Sequence, residues 1–460
     1  MTVVRRQPTR RWVELVLLLF AWGLGVLGTL QVGAATGEGT PSRLWITVAV
    51  VGGLALLMHV AVSIWARYAD PILLPVATLL TILGLIMIYR IDVATARRAE
   101  LNDSPPPTPE VYSQLTWFAI AVILFIALLI LLPDHRRLQR YTFTFGLIGL
   151  VLLVLPLAPV IGTTVNGATL WIRIAGFSFQ PAEMAKIFLT IFFAGYLVVT
   201  RDSLALVRTK VLGIDLPRLK DLGPILIAWL VSLGVLVFER DLGTSLLFFG
   251  LFVSMLYIAT QRRSWLFIGG VLFLAGAYAA YQLFSHVQSR VTIWLDPFAY
   301  SDTGGYQIVQ SLYGLANGGM LGAGLGQGFP NLVPFANTDF IFSALGEELG
   351  VTGLFAILML YALLVERGFR TAVTVRDGFG QLLAAGLSIT FALQVFVIVG
   401  GVTGLIPLTG LTTPFLSYGG SSLIANWIIV ALLLRMSDRA RRPDAQVIAM
   451  DEAPTQVVRL

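Results

Sequence analysis

Long, continuously apolar segments dominate this chain and are separated by short polar ones. A helix needs about 20 predominantly apolar residues to cross a bilayer, and twelve segments approach or exceed that length. Because they lack a two-residue alternation, they favour helices over the strands of a membrane barrel. The pattern predicts an all-α polytopic membrane protein with about twelve transmembrane helices. The predicted spans are 12–34, 44–66, 71–89, 115–133, 141–162, 182–200, 222–239, 242–260, 264–283, 340–365, 380–400 and 422–436.

Composition supports the same class. Hydrophobic residues make up 57% and charged residues 12% of the 460 positions, and the mean hydropathy is +0.84, far above the range of soluble domains. The absence of cysteine excludes disulfides, thiol nucleophiles and thiolate metal sites. Only three histidines occur, which argues against a histidine-rich metal centre.

Arginine and lysine collect on one side of the predicted bundle, which marks the cytoplasmic side. The net charge of +6 is spread through these short loops, so topology explains it and no nucleic-acid partner is predicted. The N-terminus, 1–11, and the tail, 437–460, are both predicted to be cytoplasmic. The basic clusters are Arg5, Arg6, Arg10 and Arg11; Arg136, Arg137 and Arg140; Arg201, Arg208, Lys210, Arg218 and Lys220; Arg262 and Arg263; Arg367, Arg370 and Arg376; and Arg435, Arg439, Arg441 and Arg442. The opposite, outward side receives the loops near 35–43, 90–114, 163–181, 284–339 and 401–421.

Two of the outward loops have compositions that predict packed structure. The large loop 284–339 holds nine glycines between Gly304 and Gly328, and the loop 401–421 has five glycines, two prolines and no charged residue. Glycine permits tight turns and close approach, and irregular backbone at membrane depth is tolerated only inside protein or around a cavity. We therefore predict re-entrant or interfacial packing for both loops. For the large loop, a flexible hinge is the alternative.

Three carboxylates lead into and lie within an otherwise apolar segment: Asp339, Glu347 and Glu348. Ionisable residues in membrane segments are expensive and mark functional sites. Asp339 lies at the predicted outward rim, which makes it a candidate for a functional acid. The alternative is that Asp339 merely caps the following helix. The deeper Glu347 and Glu348 are predicted to be structural, paired inside the bundle with Lys186 or with polar backbone.

Glu183 and Lys186 stand one helical turn apart at the start of a predicted span, which places them on one face of the helix. Two interpretations remain open. The pair is either an ordinary interfacial ion pair or a substrate-facing site.

Seven motifs carry a resemblance to a known family, and they extend over roughly residues 160 to 436. The motifs are NGATLWI from Asn166, FQPAEMAK from Phe179, ERDLGTS from Glu239, RVTIWLDP from Arg290, GGYQIVQSLYGLANGGMLGAGLGQG from Gly304, NTDFIFSALGEELG from Asn337 and GLIPLTGLTTPFLSYGGSS from Gly404. In order and spacing they resemble the SEDS family (shape, elongation, division and sporulation), which includes FtsW, RodA and SpoVE.

The resemblance implies a peptidoglycan glycosyltransferase. Such an enzyme polymerises lipid II into glycan strands, with inversion, at the outer face of the bacterial cytoplasmic membrane, for elongation, division or shape. Its implied partners are lipid II, polyprenyl-pyrophosphate-linked glycan, a class B penicillin-binding protein, and other elongasome or divisome membrane proteins. The family's catalytic aspartate corresponds to Asp339. A lipid II flippase or another transporter, and a non-catalytic scaffold of a cell-wall complex, are the alternatives.

The chain departs from the family pattern in several respects, among them Thr169 and Leu170 in place of arginines, Ala182 in place of serine and Arg240 in place of proline. Family members often carry an acidic residue and a histidine where this chain has Phe335 and Asn337. They also have about ten spans, which implies two extra helices near the N-terminus here. The resulting organisation is N-terminal helices over 12–140, including the extra pair, and a family-like core over 141–436.

Glycosyl transfer from a lipid pyrophosphate needs cationic stabilisation of the leaving group, and Lys186, Arg290 and Arg173 are predicted to lie on the outward side. No cofactor is required by the sequence. A divalent cation held by Asp339, Asp241 or Asp296 is allowed, although no motif demands one. Trp171 and Tyr306 either stack on sugar or belong to the aromatic belt. The full set of substrate-binding candidates is Lys186, Glu183, Arg290, Trp171, Gln180, Asp241, Tyr306, Gln307, Ser417 and Ser421.

Overall fold

The computed structural model describes residues 9–37, 42–158, 161–165, 168–174, 177–205, 209–211, 214–216 and 219–443. Parts of several predictions lie outside these residues: most of the cytoplasmic N-terminus, the tail from 444 onward, and Asn166, Arg208 and Arg218. The helices are α1 (Arg11–Thr36), α2 (Ser42–Trp65), α3 (Leu73–Leu101), α4 (Glu110–Leu131), α5 (Arg136–Gln139), α6 (Thr142–Val154), α7 (Pro181–Ala205), α8 (Leu219–Phe238), α9 (Leu242–Thr260), α10 (Ser264–Leu283), α11 (Ser285–Leu295), α12 (Tyr306–Gly318), α13 (Ile341–Thr374), α14 (Gly378–Val402) and α15 (Gly420–Arg441).

Ten helices in the described part of the chain are long and apolar enough to cross a membrane, which confirms the all-α polytopic class. Two predicted spans are not among them. The span 141–162 corresponds to α6, which is shorter and continues as a 3-10 turn over Leu155–Leu157. The span 222–239 corresponds to α8, a helix of 20 residues. A total of twelve crossings therefore stays a prediction.

Short strands occur where the sequence pattern indicated only loops. Strands β1 (Gly162–Val165), β2 (Ala168–Ile174) and β3 (Phe177–Phe179) form an antiparallel sheet in the order β1-β2-β3. A second hairpin pairs β4 (Thr209–Val211) with β5 (Ile214–Leu216). The first sheet is rich in β-branched and aromatic residues, which favour strands; its brevity hides it beside the long apolar spans.

The loop predicted at 90–114 is largely helical, which corrects two span boundaries. Helix α3 continues past residue 89 to Leu101, and α4 begins at Glu110. Only the segment between them, which contains the prolines at 105–107 and 109, is free of helix, because proline cannot continue a helix interior. Hydropathy alone ends the predicted span just before Arg90, because arginine is charged. In the structure Arg90 lies buried inside α3.

The segment Gly319–Phe329, called the glycine loop below, packs against a break in α13. At Gly350 the backbone is left-handed (φ 68°), and a Cβ there would lie 2.3 Å from the backbone nitrogen of Gly322. Backbone bonds join the two segments on both sides of the break: Val351 N–H to Gly319 O (2.9 Å), Thr352 N–H to Met320 O (3.1 Å), Ala323 N–H to Glu347 O (2.9 Å) and Gly324 N–H to Glu348 O (3.0 Å). The large loop is thus a packed element rather than a flexible hinge.

Glu347 and Glu348 are buried and secure this loop. Glu348 pairs with Arg90 of α3 (Nε to Oε1, 2.9 Å) and accepts the backbone N–H of Gly326 (2.8 Å). Glu347 accepts the backbone N–H of Phe329 and the side-chain amide of Asn317, both at 3.0 Å. Of the two predicted kinds of partner, Lys186 is wrong and polar backbone is present, because the glycine loop supplies N–H groups while Arg90 of α3 and Asn317 of α12 supply side chains.

The opposite end of the bundle carries Arg435, which the sequence analysis grouped with the cytoplasmic basic clusters. The structure places it inside α15, where it is buried and donates to the carbonyl oxygens of Leu132, Trp65 and Leu129. These bonds join the ends of α2 and α4 to α15.

Removing Arg90 should destabilise the fold strongly. Arg90→Met leaves the Glu348 carboxylate buried without its counter-ion, a change that costs about 3–5 kcal/mol in comparable cases. We expect a lowered unfolding temperature in detergent, partly restored by the double variant Arg90→Met/Glu348→Met. Arg97→Met, at an exposed position of the same helix, is the matched control. Unchanged unfolding of Arg90→Met would contradict this account.

Candidate active site

Asp339 lies at the foot of α13, at the end of the bundle that the sequence analysis predicts to face outward; this is called the outer end below. Its side chain is partly buried. Gly410, in the loop between α14 and α15, is so close that a Cβ there would lie 3.7 Å from Asp339 Oδ2. The N-cap position of α13 is Phe340, and no side chain caps the helix. The capping alternative for Asp339 is therefore not supported.

The loop 403–419, called the covering loop below, holds the backbone just before Asp339. The Ser417 hydroxyl donates to Thr338 O (2.6 Å) and accepts the backbone N–H of Thr413 (2.8 Å). The backbone N–H of Tyr418 donates to Asn337 O (2.7 Å). The hydroxyl of Ser417, a predicted substrate contact, thus holds Thr338, while the backbone N–H of Tyr418 holds Asn337.

Asp339 shares its surroundings with Arg290 and Asp241. Burial raises the pKa of Asp339 to about 6, while the positive charge of Arg290 opposes the rise. Burial also raises the pKa of Asp241, against hydrogen bonds from Thr244 and the charge of Arg290. The structure therefore brings two carboxyl groups and one guanidinium, all three singled out from the sequence, into a single electrostatic group.

Each member of this group is fixed by its own element. Arg290 lies in α11 and donates from Nη1 to Leu408 O of the covering loop (2.9 Å). Asp241 is the N-cap of α9, where Oδ1 accepts the Thr244 N–H (2.9 Å) and Oδ2 accepts the Thr244 hydroxyl (2.6 Å). The arrangement combines a carboxyl of raised pKa with a fixed cation. Such a pair can accept a proton and stabilise an anion in the same space.

Glu239 is a further acid that the sequence analysis did not single out. It is 1% exposed. Burial and then the charge of Asp241 raise its pKa to about 8. Its Oε1 finds no hydrogen-bond partner in the described part of the chain. Its place in ERDLGTS, two residues before Asp241, was the available signal.

Glu183 and Lys186 form a buried ion pair in α7 (2.6 Å). The Lys186 ammonium also donates to Gln394 Oε1 of α14 (3.0 Å) and to Asn426 Oδ1 of α15 (3.4 Å). Gln394 in turn donates to Thr412 O of the covering loop (2.9 Å). The pair is buried rather than interfacial and joins three helices to this loop; a substrate-facing role stays a prediction.

The remaining candidates occupy separate places. The backbone N–H of Gln180 donates to the Ser421 hydroxyl (3.1 Å), which joins the starts of α7 and α15. Trp171 lies in β2, and Tyr306 and Gln307 lie in the first turn of α12. No hydrogen bond among the described residues connects these last three to Asp339.

A metal site gains no support from the geometry. Across the described ranges, no three His, Cys, Asp or Glu side chains are grouped so as to hold a metal ion. The requirement for a divalent cation stays a prediction.

The fold and the site define a polytopic membrane protein with an acid–base group at one rim of its helix bundle. Residues 71–442 match the family described as cell cycle protein, that of FtsW, RodA and SpoVE. The chain belongs to this family, so the resemblance is confirmed. The match begins after α2; that α1 and α2 are the predicted extra pair stays a prediction.

The chain is similar to named relatives and solved structures over most of its length. It is 51% identical over 442 residues to a peptidoglycan glycosyltransferase RodA of Mycobacterium tuberculosis, with 95% of this chain and 92% of the relative covered. It is 34% identical over 375 residues to a probable peptidoglycan glycosyltransferase FtsW of a Geobacter species, with 81% and 97% covered. The crystal structure of the rod shape determining protein RodA of Thermus thermophilus has a TM-score of 0.57 at 25% identity, with 82% and 98% covered. A structure described as coordination of polymerization and crosslinking by a peptidoglycan synthase complex has a TM-score of 0.56 at 26% identity, with 87% and 98% covered. The curated names agree with the predicted activity.

Asp339 should make stability depend on pH, with a sign that follows from its raised pKa. The carboxyl titrates near 3.8 when unperturbed and near 6 here, so the folded chain holds the proton more tightly between these values. The stability that this group contributes is fully present below about pH 4 and is lost as the pH rises through about 6. We therefore expect Asp339→Asn to unfold at a higher temperature than wild type above pH 6, and at a similar temperature near pH 4. Asp302→Asn, at an exposed position, is the control; an equal difference at both pH values would contradict the assignment.

Proposed function

We propose that this chain polymerises lipid II into peptidoglycan glycan strands at the outer face of the bacterial cytoplasmic membrane. One observation carries the proposal. Asp339 is a partly buried carboxyl whose pKa lies near 6, and the charge of Arg290 acts on it, in a chain of the FtsW, RodA and SpoVE family. The names of the relatives, peptidoglycan glycosyltransferase RodA and probable peptidoglycan glycosyltransferase FtsW, support the same activity.

The proposed reaction is one displacement at an anomeric carbon. The C4 hydroxyl of an acceptor sugar attacks the anomeric carbon of a donor linked to polyprenyl pyrophosphate, and Asp339 accepts the hydroxyl proton. As the new C–O bond forms, the bond to pyrophosphate breaks and the pyrophosphate leaves with the electron pair. Arg290 stabilises the negative charge that develops on it. A single displacement inverts the configuration of the donor sugar.

The proposed setting is a wall-synthesis complex. A class B penicillin-binding protein is the proposed partner, because a similar structure is described as a peptidoglycan synthase complex that coordinates polymerization and crosslinking. Identity is higher to the RodA-named relative (51%) than to the FtsW-named one (34%). This difference favours a RodA-type role over an FtsW-type role.

The proposed topology places both termini in the cytoplasm and Asp339 outside. It rests on the described members of the basic clusters, which lie at the opposite end of the bundle from Asp339 and the covering loop. Arg262 and Arg263 follow α9, and Arg367 and Arg370 lie in the final turns of α13.

Polymerisation of purified lipid II tests the proposal, with the partner transpeptidase supplied. We expect wild type to make glycan, at a rate that rises as the pH passes through about 6 and Asp339 loses its proton. Asp339→Asn and Asp339→Ala should lose about 10²- to 10⁴-fold, the usual contribution of a general base. Asp302→Asn should keep the wild-type rate.

Folding is separable from activity in this experiment, because Asp339→Asn is expected to be at least as stable as wild type above pH 6. Wild-type rates from both Asp339 variants would contradict the proposal that Asp339 is the general base. A silent, folded wild type with its partner present would favour transport or scaffolding.

A further inference from the structure

Helix α4 is fixed at its outer end by α3. The first N–H groups of a helix have no partner within that helix. Asp92 of α3 fills this role: its carboxylate accepts the N–H of Glu110 (3.0 Å) and that of Val111 (2.9 Å). The start of α4 is therefore a rigid point next to the outer end.

Two side chains in the first turns of α4 reach the segments around Asp339. Glu110 Oε2 accepts the side-chain N–H of Asn337, two residues before Asp339. One turn further along, Gln114 is 1% exposed. Its amide nitrogen donates to Ser417 O (3.0 Å), and its amide oxygen accepts the N–H of Gly419 (3.1 Å).

These contacts form one continuous path to the two residues that precede Asp339. Gln114 fixes the covering loop at residues 417 and 419, and the covering loop holds the carbonyls of Asn337 and Thr338. Glu110 holds the side chain of Asn337 directly. Only an amide can donate and accept as Gln114 does, because a carboxylate lacks the N–H and a hydrocarbon lacks both groups.

We propose that Glu110 and Gln114 are positioning residues for Asp339, acting through Asn337 and the covering loop. The inference rests on the proposed function, since it assumes that Asp339 is the base. Asn337 occupies a position where the family often has histidine, so the Glu110–Asn337 bond is the form that this positioning takes in this chain.

Donor and acceptor roles in this bond can be exchanged, which gives the test its specificity. Asn337→Asp puts two acceptors face to face, and Glu110→Gln alone keeps an acceptor oxygen for Asn337. The double variant Asn337→Asp/Glu110→Gln restores a bond of opposite sense, from the new amide to the new carboxylate. The single variant Asn337→Asp and the double variant carry the same new acid next to the site. A difference in kcat between them therefore reports the hydrogen bond.

The experiment measures lipid II polymerisation by the full chain with its partner, on the pH plateau above the acid limb. We expect Asn337→Asp to lower kcat by about 10- to 100-fold at nearly constant KM, since a displacement on the order of 1 Å has that effect on a reacting group. The double variant should recover most of the loss. Gln114→Leu should lower kcat in the same way, and the separate variant Gln114→Glu should be slow as well, because a carboxylate cannot donate to Ser417 O.

Thr116→Val is the matched control, because Thr116 is exposed on α4 and bonds only to its own helix. Unfolding temperatures are measured for every variant.

A wild-type kcat for Asn337→Asp, or a double variant as slow as Asn337→Asp, overturns the inference. If Asn337→Asp or the double variant fails to fold, Gln114→Leu decides. A wild-type kcat for folded Gln114→Leu overturns the inference, and a fall of its kcat at constant KM supports the inference. Asp339→Asn is assayed alongside: if it is inactive while the α4 variants are fully active, only the positioning role is lost, whereas an active Asp339→Asn removes the base itself.

Discussion

A charge buried among apolar helices must be matched by a specific partner, and the structure depends on how this constraint is met. Glu348 is matched by Arg90, Glu183 by Lys186, and Asp70 by Arg441. Each of these pairs also joins separate elements, either directly or through further hydrogen bonds. Asp339 is different, because no residue in the described part of the chain forms an ion pair with it, and burial raises its pKa to about 6 against the charge of Arg290.

This contrast explains how a mostly apolar bundle can present a reactive group at its rim. The glycine loop is secured on α13 by Glu347 and Glu348, while the covering loop is held by Gln114 and Gln394. Asp339 lies between the start of α13 and the covering loop, and both are held by contacts with neighbouring elements. A base held in this way loses little freedom when substrate binds, which is the advantage of preorganised catalytic groups.

Sequence alone predicted the helical class and most helix positions, and it singled out Asp339. Those features are local: an apolar run marks a span, and an acid at its edge is conspicuous. The partners were not predictable, because Arg90 and Glu348 are 258 positions apart and Gln114 and Ser417 are 303 apart. Hydropathy also ended α3 at residue 89, just before Arg90, since no hydropathy scale registers that a charge is paired. The strands β1 to β3 were missed because runs of 3 to 7 residues leave little trace beside spans several times longer.

The central claim is that Asp339 receives the proton of the attacking hydroxyl. A structure of the Asp339→Asn variant with bound lipid II tests it most directly, because the variant retains the shape of the site and should hold the substrate unreacted. The account predicts an acceptor C4 hydroxyl within about 3 Å of the residue 339 side chain, with the donor pyrophosphate beside Arg290. An acceptor hydroxyl placed instead against Glu239 or Asp241, with residue 339 out of reach, would contradict it.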